Sequence, residues 1–195
     1  GNLYSLRSAL KTLCAEHIIV RQPEELRAVH RIILPGVGAF GDAAEKLRVT
    51  GMQEALKDRV ACGTPLLGIC LGMQLLFTDS NEYGLHTGLG LIKGHVRPLK
   101  DVLPVGFKVP HIGWNKLEII RDDPLFETFP KNGYVYYVHS YYATECDNAL
   151  LAVSEYSVDV PGVVRSENVY GTQFHPEKSG NAGLKLLKAF AEMRD

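Results

Sequence analysis

The spacing of apolar positions changes several times along the chain, and each change marks an element. Leu3, Leu6, Leu10, Leu13 and Cys14 recur three or four residues apart, which predicts an amphipathic helix facing a core. His17-Ile18-Ile19-Val20 then reads as a strand, and a short helical piece runs from Pro23 to Val29. A second apolar run, Arg31-Ile32-Ile33-Leu34, predicts a strand that breaks at Pro35-Gly36-Val37-Gly38. Leu47, Met52, Ala55, Leu56 and Val60 form the inward face of a longer helix, broken or kinked at Gly51. Pro65 to Ile69 reads as a buried strand and Leu71 to Phe77 as a helix. Short strands alternating with helices argue for a parallel sheet covered on both faces, so the first half is α/β.

The second half differs. Tyr134 to Tyr142, Val163 to Arg165 and Val169 to Phe174 are rich in β-branched and aromatic residues and predict strands, some of them antiparallel. Asn181 to Met193 closes the chain as a packed helix through Leu184, Leu187, Ala189 and Phe190. Between the halves, the glycine-rich stretch from Asn81 to Gly94 lacks periodicity and reads as a loop.

Composition narrows the choices without choosing among them. At 195 residues, 46% hydrophobic and 22% charged, the chain suits one globular domain spanning 1–195. A net charge of −1 with scattered Lys and Arg offers no footprint for nucleic acid or an anionic membrane. No apolar stretch approaches the ~20 residues that span a bilayer, and the first residues do not resemble a signal peptide, so a cytoplasmic location is expected. Cys14, Cys62, Cys70 and Cys146 form no CxxC and are widely spaced, which argues for reduced thiols and against a zinc site. His17, His30, His86 and His95 have no paired acid nearby in sequence, and no metal site is expected.

Gly68-Ile69-Cys70-Leu71-Gly72 carries the chemistry. It places a cysteine on a sharp strand-to-helix turn, with glycines on either side where strand and helix approach closely. The helix start favours thiolate over thiol and leaves the Leu71 backbone N–H free to hold an oxyanion. His175-Pro176-Glu177 supplies a base and an orienting acid. The residue before proline is pushed to extended geometry, whose alternate side chains share one side, so His175 and Glu177 can point into one site. At the end of a predicted strand, Pro35-Gly36-Val37-Gly38 can bring the Val37 amide to the same oxyanion. Read alone, the Pro35-Gly36-Val37-Gly38 segment is only a turn, and the elbow marks a strained, nucleophilic cysteine compatible with hydrolases, thiol sensors and amidotransferases alike.

Together and in this order, these three motifs resemble the class I (triad) glutamine amidotransferases over nearly the whole chain. The resemblance implies an open, mostly parallel sheet flanked by helices, a flavodoxin-like three-layer α/β fold, with additional antiparallel strands in the C-terminal half. It implies that Cys70 attacks the side-chain amide of glutamine to leave a thioester and ammonia, that His175 moves the protons and that Glu177 orients it. Val37 and Leu71 would line the oxyanion hole, and Gly36, Gly38, Gln74, Ser140 and Tyr141 would hold glutamine, with no cofactor. Val109-Pro110-His111-Ile112-Gly113-Trp114-Asn115 and Tyr136-Tyr137-Val138-His139-Ser140-Tyr141-Tyr142 narrow the likeness to glutaminase subunits of imidazole glycerol phosphate synthases. Those pass ammonia to a (βα)8-barrel cyclase in histidine biosynthesis. Gly113, Trp114, Asn115, Tyr136 and Lys178 would then form the docking face, aromatics being enriched in interface cores. Gly1-Asn2-Leu3 and Ser5 read as the end of the family's first strand and turn, so a single domain lacking that strand is expected. An amidotransferase serving another synthase, such as that of pyridoxal phosphate, and a non-catalytic thiol sensor stay open as alternatives.

Overall fold

The apolar periods resolve, in a computed structural model that describes residues 2–193, into helices laid on both faces of a sheet. Gly1 of the amino-terminal motif lies outside the described residues. In chain order the elements are α1 (Asn2–Thr12), β1 (Ile32–Gly36), α2 (Phe40–Val49), α3 (Met52–Ala61), β2 (Leu66–Cys70), α4 (Leu71–Leu75), β3 (Asp79–Ser80) and β4 (His86–Thr87). There follow β5 (His95–Pro98), β6 (His111–Lys116), β7 (Glu118–Ile119), β8 (Tyr134–His139), β9 (Tyr141–Thr144), β10 (Leu150–Glu155), β11 (Asp159–Ser166), β12 (Val169–Thr172) and α5 (Gly180–Glu192).

Consecutive strand residues point to opposite faces, and both faces are apolar. Leu67, Ile69, Val163 and Tyr170 pack into one core with α1 and α5, through Leu6, Leu10, Leu186 and Phe190. Their neighbours Leu66, Val164 and Val169 pack into a second core with α2, α3 and α4, through Phe40, Leu56 and Met73. A three-layer α/β arrangement results. The main sheet runs β1-β2-β12-β11-β10-β7. It is parallel across β1, β2 and β12 and antiparallel beyond, where aromatic and β-branched residues dominate the sequence. A smaller sheet, β4-β3-β5-β9, and a two-stranded ribbon, β6-β8, cover the C-terminal end of β2 and carry residues of the site. Between α2 and α3, Gly51 adopts φ +73°, a left-handed conformation that separates two helices where periodicity suggested one interrupted helix.

Three expectations need correction. His17 to Val20 is not a strand, and Ile18 is exposed. A strand needs a ladder partner. Here the segment is separated from the outer edge of β1 by a groove of ≈ 660 Å³ that both of them line with Leu6 and Leu10. β1 also continues through Pro35 and Gly36 instead of breaking there. It is an edge strand among the described residues, the position in a sheet that tolerates proline. Cys14 lies beyond α1 at φ +54°, exposed, and so is no part of the helix's apolar face. Among the described residues no helix is long and apolar enough to cross a membrane.

Candidate active site

β2 delivers Cys70 to a turn so tight that its backbone is held at φ +56°, ψ −111° before α4 begins. The flanking glycines are required by clearance. A Cβ on Gly68 would lie 2.6 Å from the Gly72 carbonyl oxygen, and one on Gly72 would run into the Leu34 carbonyl of β1. Gly36, in register with Cys70, meets the same constraint, 2.8 Å from the Gly72 nitrogen. Strand, helix and neighbouring strand thus converge where the sulfur is presented.

His175 follows the end of β12 and is tied to the ribbon: its N–H donates to the Tyr136 carbonyl at 2.9 Å. Pro176 to Lys178 forms a 3-10 turn. Glu177 therefore meets His175 by folding back over one turn, not by strand alternation as the sequence suggested. The Glu177 Oε1 lies 2.9 Å from His175 Nδ1, and both side chains are almost wholly buried. Burial opposes a charge on His175, but hydrogen bonds to Cys70 and Glu177, with their negative charges, outweigh it and hold the imidazole at about 9. Glu177 Oε2 has no hydrogen-bond partner, so that carboxylate depends on His175. Ser179 Oγ fastens the turn by donating to the His175 carbonyl at 2.6 Å while accepting from the Tyr136 N–H at 2.9 Å.

Burial, with the charge of Asp147, pushes the thiol of the other buried cysteine, Cys146, up to about 11.

Gln74 lies on α4 directly behind Cys70, buried, and its amide donates to the Tyr141 carbonyl at 3.0 Å and to Gln173 Oε1 at 3.1 Å. Tyr141 and Ser140 stand half-buried where β8 passes into β9. The Tyr141 phenol is raised by burial and by the nearby charges of Glu82, Tyr83 and Asp101. Val37 and Gly38 occupy the exposed turn after β1, Gly38 at φ +96°. Leu71 opens α4, where the first backbone N–H groups have no intrahelical acceptor.

Trp114 is 56% exposed and packs edge-on against Tyr136, its register partner across the ribbon, with ring centroids 5.9 Å apart. That removes the core as its place. Ile112, two residues before Trp114 on β6, is also exposed, as are Val109 and Phe107 ahead of the strand. Gly113 lies beside Trp114 on β6, and Lys178 is exposed on the turn that carries Glu177. The Asn115 side chain donates to the Glu155 carbonyl at 2.7 Å, which ties β6 to the end of β10.

Several residues escaped the sequence. Gln173 places its Nε2 3.8 Å from Cys70 Sγ, which also approaches the Val138 carbonyl at 3.9 Å. Glu82, in the expected loop, accepts the Phe40 N–H at 2.7 Å and so pins the turn after β1. His111 and His139 face each other at 3.0 Å. His95, which has no acid beside it in sequence, has one in space, since its Nδ1 lies 2.8 Å from Asp79 Oδ2. Burial disfavours the Asp79 charge, yet Arg97 and His95 hold that carboxyl below its ordinary value. Only Gln173 carried a signal, its place beside His175 at the end of an apolar strand; the others depend on register. Among the described residues no group of three or more His, Cys, Asp or Glu is arranged to hold a metal.

Comparison with known proteins places the chain in a family. The family described as glutamine amidotransferase class-I matches residues 1–193. "Imidazole glycerol phosphate synthase subunit HisH" of Geobacillus sp. (strain WCH70) is 52% identical, over 99% of this chain and 92% of the relative. The protein of that name from Geobacillus thermodenitrificans (strain NG80-2) is 50% identical, over 97% and 90%. A solved glutamine amidotransferase shares the fold with a TM-score of 0.74 at 23% identity, covering 97% of this chain and 94% of its own. The chain belongs to the class-I glutamine amidotransferase family and groups within it with subunit HisH of imidazole glycerol phosphate synthase.

Proposed function

We propose that this chain is the glutaminase subunit of an imidazole glycerol phosphate synthase, working as a single domain with Cys70, His175 and Glu177 as its triad. The observation that carries the reading is His175, a buried imidazole hydrogen-bonded to the elbow cysteine on one side and to Glu177 on the other. His175 takes the Cys70 proton as the sulfur attacks the carboxamide carbon of glutamine. The tetrahedral oxyanion is met by the backbone N–H groups of Leu71 and Val37. His175 then gives its proton to the departing amine, ammonia leaves, and a γ-glutamyl thioester remains on Cys70. Water, deprotonated by the same imidazole, hydrolyses the thioester to glutamate. Glu177 keeps the ring oriented throughout.

Glutamine would lie over α4, against Gly36, Gly38, Gln74, Ser140 and Tyr141, with the Glu82 carboxylate near Tyr141 as the natural partner of an ammonium. Ammonia passes to a (βα)8-barrel cyclase that docks on Gly113, Trp114, Asn115, Tyr136 and Lys178. Trp114 is the anchor of that face: solvent-exposed large aromatics buried on association dominate such interfaces. Trp114→Ala is expected to weaken cyclase binding about tenfold, measured by titration calorimetry, with little change in the stability of the free subunit.

The deciding experiment measures glutamate release with and without the barrel cyclase and its nucleotide ligand. Release should rise on adding both and disappear in Cys70→Ala. If Cys70→Ala kept partner-stimulated release, the reading would be wrong.

A further inference from the structure

Tyr141 contributes to the site an atom that can only accept hydrogen bonds, its backbone carbonyl oxygen. His139 Nδ1 lies 2.8 Å from it and Gln74 Nε2 donates to it at 3.0 Å. His139 must therefore carry its proton on Nδ1, which leaves Nε2 of the neutral ring as an acceptor. The nitrogen facing that Nε2, His111 Nδ1 at 3.0 Å, is then the donor. Neutrality of both rings agrees with their setting. Burial pushes His111 down to about 4; it pushes His139 down to about 3, reinforced by the charges of His111 and His175 and opposed by the Tyr141 bond.

The same logic runs through two amides. Both N–H groups of Gln74 go to oxygens, Tyr141 O and Gln173 Oε1, so its amide has one allowed orientation. Gln173 is fixed in turn: with Oε1 facing Gln74, its Nε2 faces the Cys70 sulfur at 3.8 Å. Gln74 is 5% exposed and Gln173 not at all, so solvent offers little competition. A donor N–H aimed at a sulfur stabilises the thiolate over the thiol, whereas a flipped amide would set oxygen against sulfur and repel it.

We propose that Gln173 is a further catalytic residue of this site, donating its amide N–H to the Cys70 sulfur, and that Gln74, the Tyr141 carbonyl and the His111–His139 pair are positioning groups that keep that N–H turned inward. The proposal rests on Cys70 being the glutaminase nucleophile. Its geometry adds a second function to the β6–β8 ribbon. The strands that present Trp114 and Tyr136 to a partner also set the polarity of the hydrogen bonds that reach the sulfur.

The test uses the full chain with two readouts: the rate at which iodoacetamide alkylates Cys70 at neutral pH, which needs no glutamine, and glutamate release with the cyclase present. Gln173→Leu and the isosteric Gln173→Glu are expected to slow alkylation about tenfold and to lower kcat by at least as much, with KM changed less than about threefold. His139→Leu should slow alkylation by a smaller factor. His139→Asn keeps an N–H for the Tyr141 carbonyl and should recover most of the lost rate, which a merely structural role would not produce. Should one Gln173 variant lose its far-UV circular dichroism, the other carries the test. Wild-type alkylation rates in a folded Gln173 variant overturn the catalytic role, and equal rates in His139→Asn and His139→Leu overturn the positioning role. Failure of the glutaminase reading shows separately, as a wild-type protein that releases no glutamate while the alkylation ratios stand.

Discussion

His175 and the His111–His139 pair are shut off from water to a similar degree, at 2%, 3% and 6% exposure, yet their titrations are shifted in opposite directions. Burial resists ionisation of all three rings. At His175 the hydrogen bonds to Cys70 and Glu177 overcome it and the ring is held at about 9. His111 and His139 find only a carbonyl, each other and the faces of Tyr137 and Tyr156, and fall to about 4 and about 3. The rings are close enough that the His175 charge itself helps to keep His139 neutral. Depth alone therefore does not decide protonation here; the charge available within hydrogen-bond reach does.

Removing those charges should convert the first kind of histidine into the second. Cys70→Ala is expected to abolish partner-stimulated glutamate release, by on the order of a thousandfold or more, since it deletes the proposed nucleophile together with one hydrogen-bond partner of His175. Glu177→Gln keeps the shape but not the charge. A loss of about a hundredfold in kcat is expected, with the His175 titration, followed by NMR of its ring protons, moving down from about 9. A ring still titrating near 9 in that variant would break the comparison.

The neutral pair sharpens it from the acid side. Folded-state values below the ordinary histidine value mean that the stability they contribute is present above pH 6.5 and lost as pH falls toward 4 and 3. By pH 4.5 the cost is roughly 2–3 kcal/mol for each ring, read from urea unfolding curves, and His139→Phe should flatten that part of the profile. His175 runs the other way. Its value is raised, so its contribution is complete below pH 6.5 and lost as pH rises through about 9, about 1 kcal/mol between pH 7 and 8. Glu177→Gln should remove that slope.

The contrast also separates what the sequence could disclose from what it could not. The elbow is legible because its constraint is local: glycines two positions either side of Cys70 leave few other conformations for a strand turning into a helix. Gly51 was readable as a helix break for the same reason, a backbone need confined to one residue. The pairing of His175 with Glu177 followed from adjacency, although a 3-10 turn and not strand alternation produces it. His111 against His139, Gln74 against Gln173 and Asp79 against His95 are matters of register or of distant segments meeting. Side-chain chemistry says nothing about which rung of a ladder a residue will occupy. His17 to Val20 failed in the opposite sense, since its composition suits a strand but it has no ladder partner among the described residues.

The carbonyl of Tyr141 has a genetic consequence. No codon change can delete it, because every amino acid placed at position 141 brings the same oxygen. Selection acting on the ring can therefore vary the side chain while the donor–acceptor order behind Cys70 is inherited through the backbone. Replacing the peptide nitrogen of Tyr142 by an ester oxygen, which weakens that carbonyl as an acceptor without altering any side chain, is the perturbation that reaches it.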